Sequence, residues 1–243
     1  MTFRTPNSGL AGARTATVRA LCFFWLTLPM AAQTVRPILV EHRGQARGRL
    51  ELVNDTVTPL NVVLETKSFS VSETGEITYR PLDKEIQLKL SAMSFRIPPQ
   101  QSYLVFYEAK AEKLPAWFVI YADFSGYPVR DKSGLNVQVE LPHTVYLLPK
   151  QGLQKSEIAI RRAEFRPAEK RVVLDVENTG TSFGRVLYSE LHSTHNKAEG
   201  SGFPLFPRSH RQIELAWDGK EPPEKLVLRF QQFSVEQKLP RTE

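Results

Sequence analysis

Few side chains in this sequence could support chemistry. His192 and His195 stand three apart beside Asn196, a spacing that could set two imidazoles on one metal ion. They fall where a strand pattern gives way to a Ser/Thr/Asn turn, with no acidic or cysteine partner at ligand spacing, and are read as an exposed turn. His42, His143 and His210 are isolated, and His143, directly after Pro142, is read as a strand-surface residue. No Gly-x-Ser-x-Gly elbow, phosphate-cradling loop or His-Glu-x-x-His helix occurs. The acidic residues are spread singly, so there is no paired-carboxylate site. Catalytic residues, metal ligands and cofactor-binding residues are therefore expected to be absent, and the chain is expected not to be an enzyme.

The pattern that can do something is backbone pairing. In Ser133–Pro149, Leu135, Val137, Val139 and Leu141 alternate with Asn136, Gln138 and Glu140. Period two puts the apolar residues on one face of an extended strand. Pro142 has no N–H for a ladder, which predicts a sheet edge or a bulge there. Val145–Leu148 then reads as a strand buried on both faces. An alternating apolar edge strand invites another chain to pair, so either the native fold covers it or pairing is its role. An ordinary core-facing strand is the alternative.

The elements that position this strand are read from the chain in order. Residues 1–32 have the form of a secretory signal: Arg4, Arg14 and Arg19 without acidic residues, the apolar core Ala20–Leu28, and small residues before a cleavage point at Gln33. The apolar run is too short for a membrane-spanning helix, so stable membrane insertion is not expected. The single cysteine, Cys22, lies inside this run, which leaves the mature chain without thiol or disulfide chemistry. The chain has 32 basic and 26 acidic residues, +6 overall. Without the three leader arginines the count is 29 against 26, or +3. No Lys/Arg tract with interleaved aromatics is present, which argues against nucleic-acid binding.

Short strands follow, broken by turn residues. The first series is Val35–Glu41, Arg47–Asn54, Leu60–Phe69, Ile86–Phe95, Ser102–Glu108, Ala116–Phe124 and the long strand after Gly134. The second is Ile158–Phe165, Arg171–Asn178, Arg185–His192, Phe203–Phe206, Arg211–Trp217, Lys225–Phe230 and Phe233–Lys238. Trp117 and Trp217 fall within strand patterns and are read as core. No stretch carries sustained helical periodicity with caps. The expectation is all-β: two immunoglobulin-like sandwich domains, residues 33–150 and 151–243, after a signal peptide at 1–32.

The order of local phrases resembles the PapD-like periplasmic chaperones of pilus assembly. Gly48–Asp55 (GRLELVND) resembles that family's second strand, Phe95–Ser102 (FRIPPQQS) its proline turn, Leu147-Leu148-Pro149 the end of its seventh strand, and Phe203–His210 (FPLFPRSH) a turn of its second domain. The resemblance implies an exported, periplasmic chaperone that binds pilus or fimbrial subunits by donor-strand complementation, with an outer-membrane usher as a further partner. Leu135, Val137 and Val139 match the donor positions and Leu141 extends the row. The family also anchors the subunit's terminal carboxylate with two cations. Their positions fall on Ile38 or Leu39 and on Thr144 here, and Leu148 stands where the family has an arginine before the closing proline. Arg36 is the nearest candidate anchor and Lys150 the next. The alternative function is an exported structural or adhesion protein that reuses two Ig-like domains.

Overall fold

The computed structural model describes residues 33–126 and 138–240. In chain order the strands are β1 (Gln33–Arg36), β2 (Leu39–Arg43), β3 (Ala46–Asn54), β4 (Leu60–Val71), β5 (Ile77–Pro81), β6 (Ile86–Leu90), β7 (Ser94–Ile97), β8 (Gln101–Ala111), β9 (Ala116–Gly126) and β10 (Gln138–Leu148). Past the connecting segment come β11 (Ile158–Arg166), β12 (Arg171–Asn178), β13 (Gly184–His192), β14 (Lys197–Leu205), β15 (Ser209–Ala216), β16 (Lys225–Arg229) and β17 (Ser234–Lys238). No helix among the described residues is long and apolar enough to cross a membrane.

These strands build two Ig-like sandwiches. The first packs the sheet β1-β3-β8-β6 against β2-β10-β9-β4-β5, with β7 also pairing β4. Alternation fixes its core: Leu50 and Leu52 from β3, Val62 and Leu64 from β4, Val105 from β8, Phe118, Ile120 and Phe124 from β9, and Val145 and Leu147 from β10 are all buried. The second packs β11-β12-β15 against β14-β13-β16-β17 around Val172, Leu174, Val176, Leu191, Leu226, Leu228 and Trp217. A third apolar cluster, Phe69, Val119, Tyr146 and Leu148 with Phe183 and Phe206, joins the sandwiches. Trp117 packs there too, its ring centroid 4.6 Å from that of Phe206 and its Nε1–H donating to the Phe69 carbonyl at 2.7 Å. The aromatic seam and the short connection between Leu148 and Ile158 hold the sandwiches as one compact unit.

Several strands differ from the sequence reading, each for a local reason. Val35–Glu41 is not one strand. Pro37 offers no donor, and the chain crosses there from β1, antiparallel to β3, to β2, parallel to β10. Ile86–Phe95 likewise divides at Ser91–Met93, sending β6 to one sheet and β7 to the other. β5 was not anticipated; all five of its residues are exposed, so no burial pattern marks it. Gly200-Ser201-Gly202 lies inside β14 instead of breaking it. A Cβ at Gly202 would collide with the Val186 and Leu187 carbonyls, so the glycine permits a close strand approach.

Candidate functional site

The site is assembled from β10 and its two neighbours. β9 pairs with β10 along its described length, Gln138 opposite Ser125 through Leu147 opposite Ala116. On the other side β2 pairs only from Thr144, opposite Leu39, to Leu148, opposite Arg43. From Gln138 to His143 that second side has no strand partner among the described residues. Among the described residues β1, which ends the other sheet, pairs only with β3. This side of the sandwich is thus open along both sheets among the described residues, bridged at one end where Pro37–Leu39 crosses over. At this corner Ile38 is 66% and Leu39 40% exposed.

Odd-numbered residues of β10 face inward. Val139 and Leu141 are half-buried and pack on the first core, whereas Gln138 and Glu140 are exposed on the opposite face. Leu135 and Val137, of the same parity, lie outside the described residues.

His143 continues the inward row and is fully buried, which overturns its reading as a strand-surface residue. Proline does not reset strand parity, so position 143 faces the core as 139 and 141 do. Its Nδ1–H donates to the Pro37 carbonyl at 2.5 Å, and its Nε2 is buried without a partner among the described residues. Tyr107 stands beside it, ring centroids 5.4 Å apart, and hydrogen-bonds His42 Nε2 at 3.0 Å. A Cβ on Gly48, opposite Tyr107, would collide with that ring. Burial lowers the pKa of both histidines and pushes that of Tyr107 up to about 12. These groups are therefore neutral structural polar groups at the crossover, which serve to hold Pro37 against β10.

Arg36 is exposed on β1, opposite Glu51 of β3, and is not among the residues that line the cavity between the sandwiches. That cleft contains a cavity of about 280 Å³ whose walls include Phe69, Tyr79, Pro142, Thr144, Tyr146 and Arg211. Arg211 comes from β15 of the second sandwich. Its Nη1 donates to the carbonyls of Ser72 at 2.8 Å and Glu73 at 3.3 Å, while its Nε is buried and unpaired among the described residues. Burial lowers its pKa. The sequence reading missed this residue, because only the fold brings it to Thr144. Lys150 is exposed, and its carbonyl accepts from Arg43 Nη1 at 2.9 Å. Arg43 also reaches the Pro149 carbonyl, and Arg185 pairs with Glu41 at 3.1 Å, so these two arginines brace the junction.

A second contact between the sandwiches is titratable. The imidazole of His210 lies between Asp175 of its own sandwich, 3.0 Å from Nδ1, and Glu73 of the first, 2.6 Å from Nε2. Hydrogen bonding to Asp175, and then the charges of both carboxylates, raises its pKa. Glu177, paired with Arg161, and the neighbouring Arg211 are the other charges on this face. A raised folded pKa makes the contribution complete below the unfolded value of about 6.5 and lost as pH rises through the folded value. His210→Gln should therefore melt like the parent at alkaline pH and increasingly below it as pH falls past neutrality. Parallel melting curves of the two proteins from pH 8.5 to 5.5 would contradict the clasp. His42 and His143 act oppositely, since their lowered pKa values withdraw stability as pH falls below about 6.5, but that background is common to both proteins.

His192 ends β13 beside Glu190, and His195 sits in the following turn, exposed and 3.2 Å from Glu221. Among the described residues no group of three or more His, Cys, Asp or Glu is arranged to hold a metal ion. Glu190, nearly buried, accepts from Lys197, His192 and Arg229, which hold its pKa down at about 2, a structural charge cluster.

No protein-family model and no curated protein matches the chain. Solved structures do. The class 5 fimbriae chaperone CfaA aligns with a TM-score of 0.54 at 12% identity, over 87% of this chain and 100% of its own. The YadV chaperone gives 0.55 at 10% identity, over 84% and 99%. A chain of the CsuC–CsuE chaperone–tip subunit pre-assembly complex, from archaic chaperone-usher Csu pili of Acinetobacter baumannii, gives 0.53 at 11%, over 88% and 100%. The fold is that of the PapD-like chaperones, two Ig-like sandwiches in series.

Proposed function

We propose that the protein is an exported, periplasmic assembly chaperone for pilus- or fimbrial-type subunits, delivered by the leader at residues 1–32, with sandwich domains at residues 33–150 and 151–243. The observation that supports this most directly is the free edge Gln138–His143 carrying inward-facing Val139 and Leu141. A subunit sandwich that lacks a strand can pair with this backbone and share the apolar row, through β-augmentation. By the alternation of the sequence, Leu135 and Val137 are expected to extend the same row. An outer-membrane usher is a further partner in this reading. A photo-crosslinking residue at position 139 should trap a pilin-type subunit co-expressed with the chain, and the same residue at position 140 should not. Equal trapping at both positions would refute a one-faced donor strand.

If the subunit's terminal carboxylate enters the cleft, the cation it meets is Arg211 and not Arg36. A charge-assisted bond contributes about 1.5–3 kcal/mol, so Arg211→Met should weaken capture at least tenfold. Arg36→Ala should leave it unchanged. The reverse ranking, read by titration of the same subunit, would return the anchor to the first strand.

The second reading is an exported structural or adhesion protein. It draws on the packing of Val139 and Leu141 against the protein's own core.

A further inference from the structure

Pro142 lies on the unpaired stretch of β10, and the direction of its missing donor can be worked out. Thr144 N–H bonds the Ile38 carbonyl at 2.7 Å, so the backbone groups of Thr144 point away from β9 and toward β2. Along a strand these groups alternate sides, so residues 138, 140 and 142 direct theirs to the same side. There, beyond the reach of β2, they meet no strand among the described residues. The edge thus offers an N–H and a carbonyl at Gln138 and at Glu140, and a carbonyl alone at Pro142. Two residues on, β2 occupies the ladder itself.

We propose that Pro142 is a built-in stop on the pairing edge. This rests on the chaperone reading above and adds to it how the partner's register is fixed. An extended partner strand ladders through Gln138 and Glu140 and must leave opposite Pro142, where its carbonyl would find no donor. Continuing straight would also run it into Pro37–Leu39. The proline does not weaken the free protein's ladder to β9, because its nitrogen faces outward. It limits how far a partner strand can slide along the row of Val139 and Leu141, which matters because a one-residue slip would turn every partner side chain to the wrong face. Pro142 itself lines the cleft cavity with Thr144 and Arg211, so a chain that leaves the edge here has space to enter.

The test is amide hydrogen exchange on the protein alone and in complex with a purified pilin-type subunit that it captures. In the parent complex the Gln138 and Glu140 amides should become protected on binding, while Thr144 is protected in both states. In Pro142→Val the new amide should become protected only in the complex, and the subunit should dissociate about two- to tenfold more slowly, the effect of one added backbone hydrogen bond. Glu140→Pro moves the stop two residues back without touching the β9 ladder, and should speed dissociation. A residue-142 amide that exchanges equally fast with and without subunit, together with dissociation rates unmoved by both variants, would overturn the stop while leaving edge pairing intact. If the subunit binds the parent without protecting Glu140, edge pairing itself is wrong and the stop falls with it.

Discussion

Val139→Asp should abolish subunit capture, weakening it by a hundredfold or more, while the protein still folds. In the proposed complex Val139 passes from half-buried to buried against the partner. Burying an aliphatic side chain of this size contributes roughly 1.5–3 kcal/mol, and an unpaired carboxylate in the same place costs several more. A loss of about 2.8 kcal/mol is already a hundredfold in affinity. In the free protein Val139 is half-buried against the first core and sits on a strand edge that has no partner among the described residues. Its aspartate can turn to water, so the melting temperature should fall by only about 2–4 °C, the shift expected from a loss near 1 kcal/mol in a chain of this size. Val137→Asp, at a position that the sequence alternation assigns to the same row, should lose capture in the same way. Glu140→Ala, on the exposed face, should leave capture intact. The contrast separates the two functional readings. If Val139→Asp unfolds the isolated protein, the strand face is internal core, and the structural or adhesion reading gains.

That the row could be found at all follows from how strands write themselves into sequence. Val139 and Leu141 alternate with Gln138 and Glu140, and period two gave the inward face correctly. The same arithmetic, carried past Pro142, places His143 in the core. Reading it as a surface residue gave weight to its polarity when its parity was the better guide. The second Ig-like sandwich was legible on similar grounds, because Val172, Leu174 and Val176 on β12 alternate as a half-buried strand must.

What stayed hidden depends on partners far along the chain. Arg211 reaches the cleft because β15 lies against the turn at Ser72 and Glu73, where Gln212 N–H also bonds the Glu73 carbonyl at 2.9 Å. Nothing near position 211 records that contact. The split of the first strand depends on Pro37 and on two sheets that do not exist until β3 and β10 are in place. Only then does Pro142 become a feature of a free edge instead of a generic strand breaker.

Asn54→Ala should be among the most destabilising single changes in the first sandwich, with the melting temperature down by about 6–12 °C. Asn54 is the last residue of β3 and is fully buried. Its Nδ2 donates to the carbonyls of Thr58 at 2.9 Å, Ile97 at 3.1 Å and Pro98 at 3.0 Å. Its Oδ1 accepts from the Thr56 N–H at 3.0 Å and from the Thr56 hydroxyl at 2.6 Å. One side chain thus satisfies the turn after β3 and the end of β7. Alanine removes every bond, including the one to the carbonyl of the fully buried Ile97, which no other side chain is placed to replace. Each orphaned buried group costs about 1–3 kcal/mol, so a total near 3 kcal/mol is expected, at about 2–4 °C per kcal/mol. Asn54→Asp should rescue little, because a carboxylate would face the same carbonyls with no hydrogen to give. Asn178, the last residue of β12, repeats the arrangement with fewer partners: Nδ2 to Ser182 and Leu205, Oδ1 from Gly180. Asn178→Ala should therefore fall in the same direction by less. The network also explains why Asn54-Asp55-Thr56, although it spells a glycosylation sequon, cannot accept a glycan in the folded protein: its amide is sealed in and its threonine hydroxyl is already bonded to it. Thermal unfolding of the three variants decides the matter. An Asn54→Ala protein that melts within 3 °C of the parent would mean that water replaces these bonds freely, which their burial argues against.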